Sequence, residues 1–198
     1  MVNKSTLSKL ADELKSHGII WGIGGSYLLQ IYNLYDNPND LDLWIHPQDM
    51  GKVKQIFGCH EKIETRINLP EQYHLKIKYY DAEVDFVACF IIKPNQNQFI
   101  YNITHNNIRK IQMDDGVKVP CTYLEDWYII YKLLKREDKA QIIKDFFIKH
   151  KKRFDLKAIE ESLNNPENRI PKGIRIDAND FIFSIRQVSI FDESDTDE

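Results

Sequence analysis

The chain has 198 residues, and its 42% apolar content is ordinary for a globular domain with a sizeable core. Its 27 basic and 30 acidic residues give a net charge of −3, so no global basic field favours non-specific binding to nucleic acid. The 3 cysteines are widely spaced, which argues against a disulfide framework or a zinc site. No signal peptide and no apolar run of the roughly 20 residues needed to cross a bilayer is present. We therefore expect a cytoplasmic protein with no membrane partner.

The amino-terminal part alternates between helical and extended patterns. Leucines at helical spacing predict an amphipathic helix that ends at Gly18, and the apolar run at residues 19–23 predicts a buried strand. Gly24 and Gly25 interrupt this run. Ser26 is suited to begin the next helix, because serine is a strong helix-capping residue.

The middle of the chain is mostly extended in pattern. LDLWI at residues 41–45 alternates and is rich in strand formers, and a short helix is predicted between it and Gly58. The later strands are predicted in EKIETRI, YHLKIKYY, AEVDFVACFII and the hairpin IRKIQMDDGVKVPC. Strands interspersed with helices favour an α/β (α+β) fold, with a mixed sheet flanked by helices.

A helical region at residues 122–164 is predicted to follow a core at residues 1–121. It contains the helical segments TYLEDWYIIYKLLKR, QIIKDFFIKHKKR and FDLKAIEESL. Residues 165–198 are predicted to hold a turn-rich connector, the segment FIFSIRQVSIF as one last strand or a docking segment, and the acidic tail DESDTDE. The cations of KHKKR, residues 149–153, suit a helix end better than an RNA site.

The turn from the first strand into the second helix has the composition of an anion site. Glycines let the backbone approach a ligand closely. The N–H groups that open the helix, together with the hydroxyl of Ser26, can point at a phosphate. Taken alone, Gly24-Gly25-Ser26 is also a common way to begin a helix, and that simpler interpretation is favoured.

Asp40 and Asp42 flank one apolar residue at the start of the second predicted strand. Side chains two residues apart in a strand point to the same side, so both carboxylates lie together while Leu41 and Leu43 enter the core. Like charges this close repel unless a cation lies between them, which favours a site for a hard metal ion. A solvated acidic face would explain the pair equally well if no further acid joined it.

Asp85 is the third acid. It stands in the middle of AEVDFVACFII, whose other residues are typical of a buried strand, and a lone buried carboxylate needs a partner. If this strand lies beside LDLWI, the three carboxylates form one cluster able to hold two magnesium ions. Two such ions, about 4 Å apart, stabilise the attacking and leaving oxygens of a displacement at phosphorus. No two of the 6 histidines have the spacing of a helical zinc motif, so no catalytic histidine is expected.

Together these residues resemble the nucleotidyltransferases of the DNA polymerase β-like superfamily. That family has an apolar residue, Gly and Gly or Ser at a strand-to-helix turn, then an acid-apolar-acid triplet, then a third acid on a later strand. The similar segments here are Ile23-Gly24-Gly25-Ser26, Asp40-Leu41-Asp42 and Val84-Asp85-Phe86. The first predicted helix and the segment WGIGGSYLLQ, residues 21–30, look particularly like the small bacterial enzymes grouped with the aminoglycoside and abortive-infection nucleotidyltransferases. The resemblance spans residues 1–90.

The helical region resembles the same family more loosely. Several members carry an L-E-D-L segment, a helix with a lysine, and an R-x-K-D-x-x-D-I pattern. Similar features here are LEDW at residues 124–127, Lys132, and the segment 136–139. Ala140 stands where the family has Asp, and Asp145 is the nearest counterpart of the later Asp.

The resemblance implies a metal-dependent transfer of a nucleoside monophosphate from a nucleoside triphosphate such as ATP to an acceptor hydroxyl, with release of pyrophosphate. The residues that it implies for nucleotide binding are Gly24, Gly25, Ser26, Lys132 and Lys139. The catalytic and metal-binding residues that it implies are Asp40, Asp42 and Asp85. These would hold two Mg²⁺ ions, with Mn²⁺ as an alternative, and Asp85 would help to deprotonate the acceptor hydroxyl.

The acceptor is left open by these motifs. An aminoglycoside-like small molecule, a tRNA end and a protein hydroxyl are all compatible with them. A function of another class is a catalytically weak or inactive nucleotidyltransferase fold that serves as a binding module or as a toxin–antitoxin partner. The irregular pattern at Ala140 favours this alternative mildly, and the intact set of three acids argues against it.

Overall fold

The computed structural model of the protein describes residues 3–64, 73–94, 97–113 and 116–192. The chain divides into two compact units, one of residues 1–91 with 100–123 and one of residues 92–99 with 124–198. The first unit contains a six-stranded mixed sheet, and the second is mainly helical. The predicted α/β fold, with a mixed sheet flanked by helices, is therefore confirmed.

Helices and strands alternate in the amino-terminal half, as the sequence predicts. The helices of the first unit are α1 (Lys4–Ser16), α2 (Gly25–Ile31) and α3 (Met50–Phe57). The strands of the chain are β1 (Trp21–Ile23), β2 (Leu41–Ile45), β3 (His74–Tyr79), β4 (Ala82–Val87), β5 (Phe90–Ile92), β6 (Phe99–Tyr101), β7 (Ile108–Gln112) and β8 (Lys118–Thr122). The large sheet has the order β3-β4-β2-β1-β8-β7, and β5 pairs with β6.

The two faces of the sheet differ in character at its centre. Strand β2 runs parallel to β4, with Asp42 opposite Asp85. Because side chains alternate along a strand, Leu43 lies on the other face, where it is fully buried. Phe57 of α3 stacks on Phe86 of β4 with ring centroids 5.0 Å apart, so α3 covers the apolar face. The carboxylates of both strands are left on the opposite face.

Helix α1 is held on the β3–β4 hairpin. Its apolar stripe is buried, as its amphipathic pattern predicts, at Leu7, Leu10 and Leu14. The hydroxyl of Tyr79 donates a hydrogen bond of 3.0 Å to Glu13, and the hydroxyl of Thr6 donates one of 2.5 Å to Asp81. These polar contacts hold α1 against the turn that joins β3 and β4.

Several predicted elements of the first unit differ in extent from the structure. Strand β1 occupies only the last three residues of the predicted run 19–23. Helix α2 begins at Gly25 with Gly24 as its N-cap, one residue before the predicted start at Ser26. AEVDFVACFII is not one strand, because the chain bends at Cys89, whose φ is +48°, between β4 and β5.

The remaining strand predictions have mixed outcomes. IRKIQMDDGVKVPC is confirmed as an antiparallel hairpin of β7 and β8, although Asp115 at its predicted turn lies outside the described residues. Of EKIETRI, the structure describes residues 61–64, where Lys62 forms an isolated bridge with Ile77 rather than a regular strand. Its remaining residues, 65–67, also lie outside the described ranges.

The second unit contains the predicted helices. They are α4 (Leu124–Leu133), α5 (Glu137–Lys149) and α6 (Leu156–Asn164), followed by α7 (Lys172–Asp192). Glu125 of α4 is fully buried and accepts the N–H of Asp155 at 2.8 Å, which satisfies the backbone just before α6. Across the described ranges, no helix combines the length and the apolar character needed to cross a bilayer.

Of the two interpretations of FIFSIRQVSIF, the final strand is wrong, and a docking segment stays a prediction. FIFSIRQVSIF lies inside α7, which begins nine residues earlier. Ala178, Phe181, Ile182 and Ile185 are buried at positions i, i+3, i+4 and i+7, the spacing of one helix face. The prediction gave too much weight to a short run of aromatic and β-branched residues. Residues 193–198 of the acidic tail lie outside the described part of the chain, and the domain boundaries after residues 121 and 164 stay predictions.

Candidate active site

The structure brings Asp40, Asp42 and Asp85 together. One carboxylate oxygen of each residue lies within 4.8 Å of the others. The cluster follows from strand register, because β2 and β4 are neighbours and pair Asp42 with Asp85. Asp40 lies just before β2, and its carboxylate joins the same cluster. The adjacency on which the sequence argument depended is therefore present.

The three carboxylates differ in exposure. Asp85 is only 2% exposed, whereas Asp40 and Asp42 are half-buried. Three negative charges at this separation repel one another strongly at the low effective dielectric of a partly buried site. Oxygen ligands of this kind are those that Mg²⁺ and Mn²⁺ prefer. The donor set thus fits a hard divalent cation.

Lys76 of β3 already places a cation against this cluster. Its Nζ lies 2.9 Å from Oδ2 of Asp40 and 3.3 Å from Oε2 of Glu83, and its backbone pairs with that of Asp85. Burial acts to lower the pKa of Lys76, but hydrogen bonding and charge attraction to Asp40, with support from Glu83, outweigh burial and raise it. The ammonium group is therefore charged, and it stands in for part of the positive charge that the cluster requires.

His74 contacts the most buried carboxylate. Its Nε2 lies 2.5 Å from Oδ1 of Asp85, and the residue is 8% exposed. Because an ionised carboxylate can only accept, the imidazole N–H is assigned as the donor. The sequence prediction missed both His74 and Lys76 as site residues. Alternation along HLKIKY indicates that they share one face of β3, but it does not reveal that this face borders Asp85.

The glycine turn touches the same cluster. The N–H of Gly24 donates to the backbone oxygen of Asp42 at 3.0 Å. Gly25 has φ of +61°, and a Cβ built on it would overlap Oδ2 of Asp42 and lie 2.7 Å from its Cγ. Ser26, the second residue of α2, is half-buried. Gly25 is thus required by its left-handed conformation and also by the neighbouring carboxylate.

The two lysines predicted for nucleotide binding belong to the second unit. Lys132 lies 2.7 Å from carboxylate oxygens of both Glu137 and Asp177, and these contacts raise its pKa against the opposing effect of burial. Lys139 is 9% exposed, and its Nζ lies 5.5 Å from the ring centre of Tyr131. A role for either lysine in nucleotide binding stays a prediction.

A cavity lies elsewhere in the first unit, away from the acidic cluster. It has a volume of about 730 Å³ and is lined by α1 and the β7–β8 hairpin, including Leu7, Ile108 and Val119. None of the three clustered carboxylates lines it. The chemistry-bearing residues therefore lie outside this cavity.

Comparison with known proteins identifies the fold. No protein-family model and no curated protein sequence matches the chain. Among solved structures, the lincosamide antibiotic adenylyltransferase LnuA, solved with lincomycin bound, gives a TM-score of 0.51 at 12% identity, covering 72% of this chain and 97% of that one. ANT(2")-Ia in complex with adenylyl-2"-tobramycin gives 0.51 at 10% identity, covering 90% and 98%. TM1012 from Thermotoga maritima, a candidate nucleotidyltransferase, gives 0.52 at 18% identity, covering 72% and 91%.

These similarities define the class of the fold. The chain has the fold of the nucleotidyltransferases and resembles members that modify antibiotics, in agreement with the resemblance of its sequence motifs. Identities of this size carry the fold and leave the activity to be argued from the residues of this chain.

Proposed function

We propose that the protein is a metal-dependent nucleotidyltransferase that moves a nucleoside monophosphate from a nucleoside triphosphate to an acceptor hydroxyl and releases pyrophosphate. The observation that carries this proposal is the convergence of Asp40, Asp42 and Asp85 beside the Gly24-Gly25 turn. Carboxylates that were only exposed on a surface would not need to converge on one point, and none of them would need to contact a glycine so closely.

The reaction is a displacement at the α-phosphorus. The acceptor oxygen forms a bond to that phosphorus as the bond from phosphorus to the oxygen bridging the α- and β-phosphates breaks, and pyrophosphate leaves with the electron pair. Asp85 accepts the proton of the acceptor hydroxyl. Divalent ions held by Asp40, Asp42 and Asp85 would supply positive charge beside the transferring phosphoryl group.

The glycine turn is proposed to hold the rest of the triphosphate. Backbone N–H groups after Gly25 and the hydroxyl of Ser26 donate hydrogen bonds to the β- and γ-phosphates. Gly25 has no side chain to block a close approach, and its positive φ orients the chain at the start of α2. In this proposal the glycine turn holds the pyrophosphate that leaves, and Asp85 is next to the acceptor hydroxyl.

We propose a small hydroxylated molecule of the antibiotic type as the acceptor. This choice is supported by two structural relatives, one described as a lincosamide adenylyltransferase and one solved with adenylyl-2"-tobramycin. An acidic site would also attract a cationic aminoglycoside electrostatically. A tRNA end and a protein hydroxyl are the other acceptors to be tested.

The experiment is an acceptor screen by mass spectrometry. Purified protein is incubated with each nucleoside triphosphate, Mg²⁺ and panels of aminoglycosides, lincosamides, tRNA and protein, while pyrophosphate release is measured in parallel. We expect an acceptor to gain the mass of one nucleoside monophosphate, with one pyrophosphate released for each transfer. Asp42→Asn keeps the size of the side chain and is expected to abolish both signals.

A matched control is Asp12→Asn, which changes an exposed acid of α1 and should leave transfer unchanged. If wild type, Asp42→Asn and Asp12→Asn behave alike with every acceptor, the enzymatic proposal is contradicted. Binding of a nucleoside triphosphate without any turnover would instead favour the inactive binding module.

A further inference from the structure

His74 is a buried histidine at the edge of the candidate site. It begins β3, where its backbone lies opposite Val87, while Lys76 lies opposite Asp85. His74 therefore reaches Asp85 along the diagonal between neighbouring strands, on the same face of the sheet. Its Nε2 and Oδ1 of Asp85 are 2.5 Å apart, and the two residues are 8% and 2% exposed.

We propose that His74 is a positioning residue that fixes the carboxylate of Asp85 in the orientation that metal binding requires. This inference rests on the proposed function of the cluster. A carboxylate turns readily about its last side-chain bond, because that torsion has only broad minima. A hydrogen bond to one oxygen restricts this rotation and thereby fixes the direction in which the other oxygen points.

The surroundings of Asp85 explain why such a bond is needed. Asp85 lies opposite Asp42 in register and close to Asp40, so repulsion between like charges favours turning its carboxylate away from the cluster. Lys76 lies opposite Asp85 on β3, but its ammonium contacts Asp40 and Glu83. The N–H donor of His74 offsets the cost of burying the charge, and it holds one oxygen on the β3 side.

His74 and Lys76 have different roles on β3. Lys76 contacts Asp40 through a flexible chain and also reaches Glu83, so its ammonium can follow changes in local charge. His74 presents a rigid ring, buried at the start of the strand, and its contact is directed at Asp85. Lys76 thus balances charge, whereas His74 sets geometry.

Partners that orient metal-binding carboxylates typically change metal affinity by about 10–100-fold when they are removed. Metal affinity is therefore the readout that separates positioning from simple packing. A purely structural histidine would change the melting temperature and leave the affinity of the folded protein unchanged. Mn²⁺ is a suitable probe, because electron paramagnetic resonance measures the free ion, from which the bound fraction follows, and no acceptor is needed.

The test compares His74→Gln with His74→Met in the full-length protein. The two substituted side chains have nearly the same length, but only the amide of glutamine can donate to Asp85. We expect His74→Gln to bind Mn²⁺ within about threefold of wild type and His74→Met to bind it about 10–100-fold more weakly. His74→Phe, which keeps an aromatic ring without a donor, replaces His74→Met if that variant does not fold.

The matched control is His60→Phe. His60 packs against Tyr79, with ring centroids 5.2 Å apart, so this change tests the loss of a histidine that does not contact the carboxylates. The inference is overturned if folded His74→Met or His74→Phe binds Mn²⁺ as tightly as wild type and His60→Phe. Failure of the proposed function gives a different result. If the cluster is not a metal site, wild type and Asp85→Asn should bind Mn²⁺ equally weakly. The proposed role of His74 would then be rejected together with the metal site.

Discussion

Gly25 and Asp42 approach each other so closely that a Cβ on Gly25 would overlap Oδ2 of Asp42. The glycine also has φ of +61°, a conformation in which L-residues are strained. Gly18, at the end of α1, has almost the same φ of +62°, but nothing lies within 4 Å of a Cβ placed there. Substituting each glycine therefore separates two effects: both positions carry backbone strain, but only Gly25 is crowded by the site.

Gly25→Ala and Gly18→Ala are expected to lower the free energy of unfolding by about 1–2 kcal/mol each, because both place alanine at positive φ. Gly25→Ala alone should also displace the carboxylate of Asp42 and weaken Mn²⁺ binding. Chemical denaturation and Mn²⁺ titration measure the two effects separately. Equal Mn²⁺ affinity in the two variants would show that crowding against Asp42 has no consequence for the site.

Lys76→Met removes the cation that contacts Asp40. In the metal-free protein we expect the melting temperature to fall by about 2–4 °C, equivalent to about 1 kcal/mol in a chain of this size. Mg²⁺ should then raise the melting temperature of Lys76→Met more than that of wild type, because the cluster has lost a competing positive charge. Calorimetry with and without Mg²⁺ measures this difference.

Lys78→Met is the control for Lys76→Met, since Lys78 is exposed two residues along the same strand and lies opposite Glu83. It should respond to Mg²⁺ as wild type does. An identical Mg²⁺ response in wild type, Lys76→Met and Lys78→Met would contradict the assignment of Lys76 as a counter-charge of the cluster.

Asp49 links the start of β1 to the start of α3. Burial acts to raise the pKa of Asp49, but the N–H of Ile20 at 3.0 Å and the ammonium of Lys52 at 2.7 Å outweigh burial and lower it below the ordinary value of 3.8. Because the pKa of Asp49 is lowered in the folded state, its carboxylate contributes its full stabilisation of the fold above pH 3.8. This stabilisation is lost as the pH falls through the folded-state pKa.

Asp49→Asn should therefore cost about 1–2 kcal/mol of unfolding free energy at pH 7. The cost should become progressively smaller as the pH falls below the ordinary value of 3.8 and through the lowered pKa of folded Asp49. Urea unfolding across this pH range measures the difference. A cost that does not vary with pH would show that the charge of Asp49 contributes nothing.

The cysteines are expected to differ in reactivity. Burial raises the pKa of the Cys121 thiol to about 12, whereas Cys59 is exposed. Because the thiolate is the reactive form, iodoacetamide at pH 8 should modify Cys59 and leave Cys121 unmodified until the protein is unfolded. Peptide mass spectrometry with and without denaturant measures this. Modification of Cys121 at the rate of Cys59 in native protein would contradict its burial.

The three candidate acids were predictable because the signal of each is local, whereas their meeting in one cluster depended on the adjacency of β2 and β4. Alternation in LDLWI places the side chain of Asp42 on the face opposite to those of its leucine neighbours. A carboxylate buried inside AEVDFV needs a polar or charged partner. The contacts of His74 and Lys76 were not predictable, because they depend on which strand borders β4 and in which register. Hydrophobic alternation identifies the faces of one strand without identifying its neighbour.

Helix α7 illustrates a second limit. Its central residues FIFSI favour a strand when taken alone, but their burial follows the helical period when the window is extended back to Ala178. The outcome depends on packing over several turns, which a short window does not contain.

The most direct measurement is anomalous diffraction from crystals grown with Mn²⁺ and a non-hydrolysable nucleoside triphosphate. We expect two manganese peaks about 4 Å apart, within about 2.5 Å of oxygens of Asp40, Asp42 and Asp85, with the triphosphate against the Gly24-Gly25 turn. Manganese and triphosphate bound elsewhere, with these carboxylates contacting neither, would contradict the proposed active site.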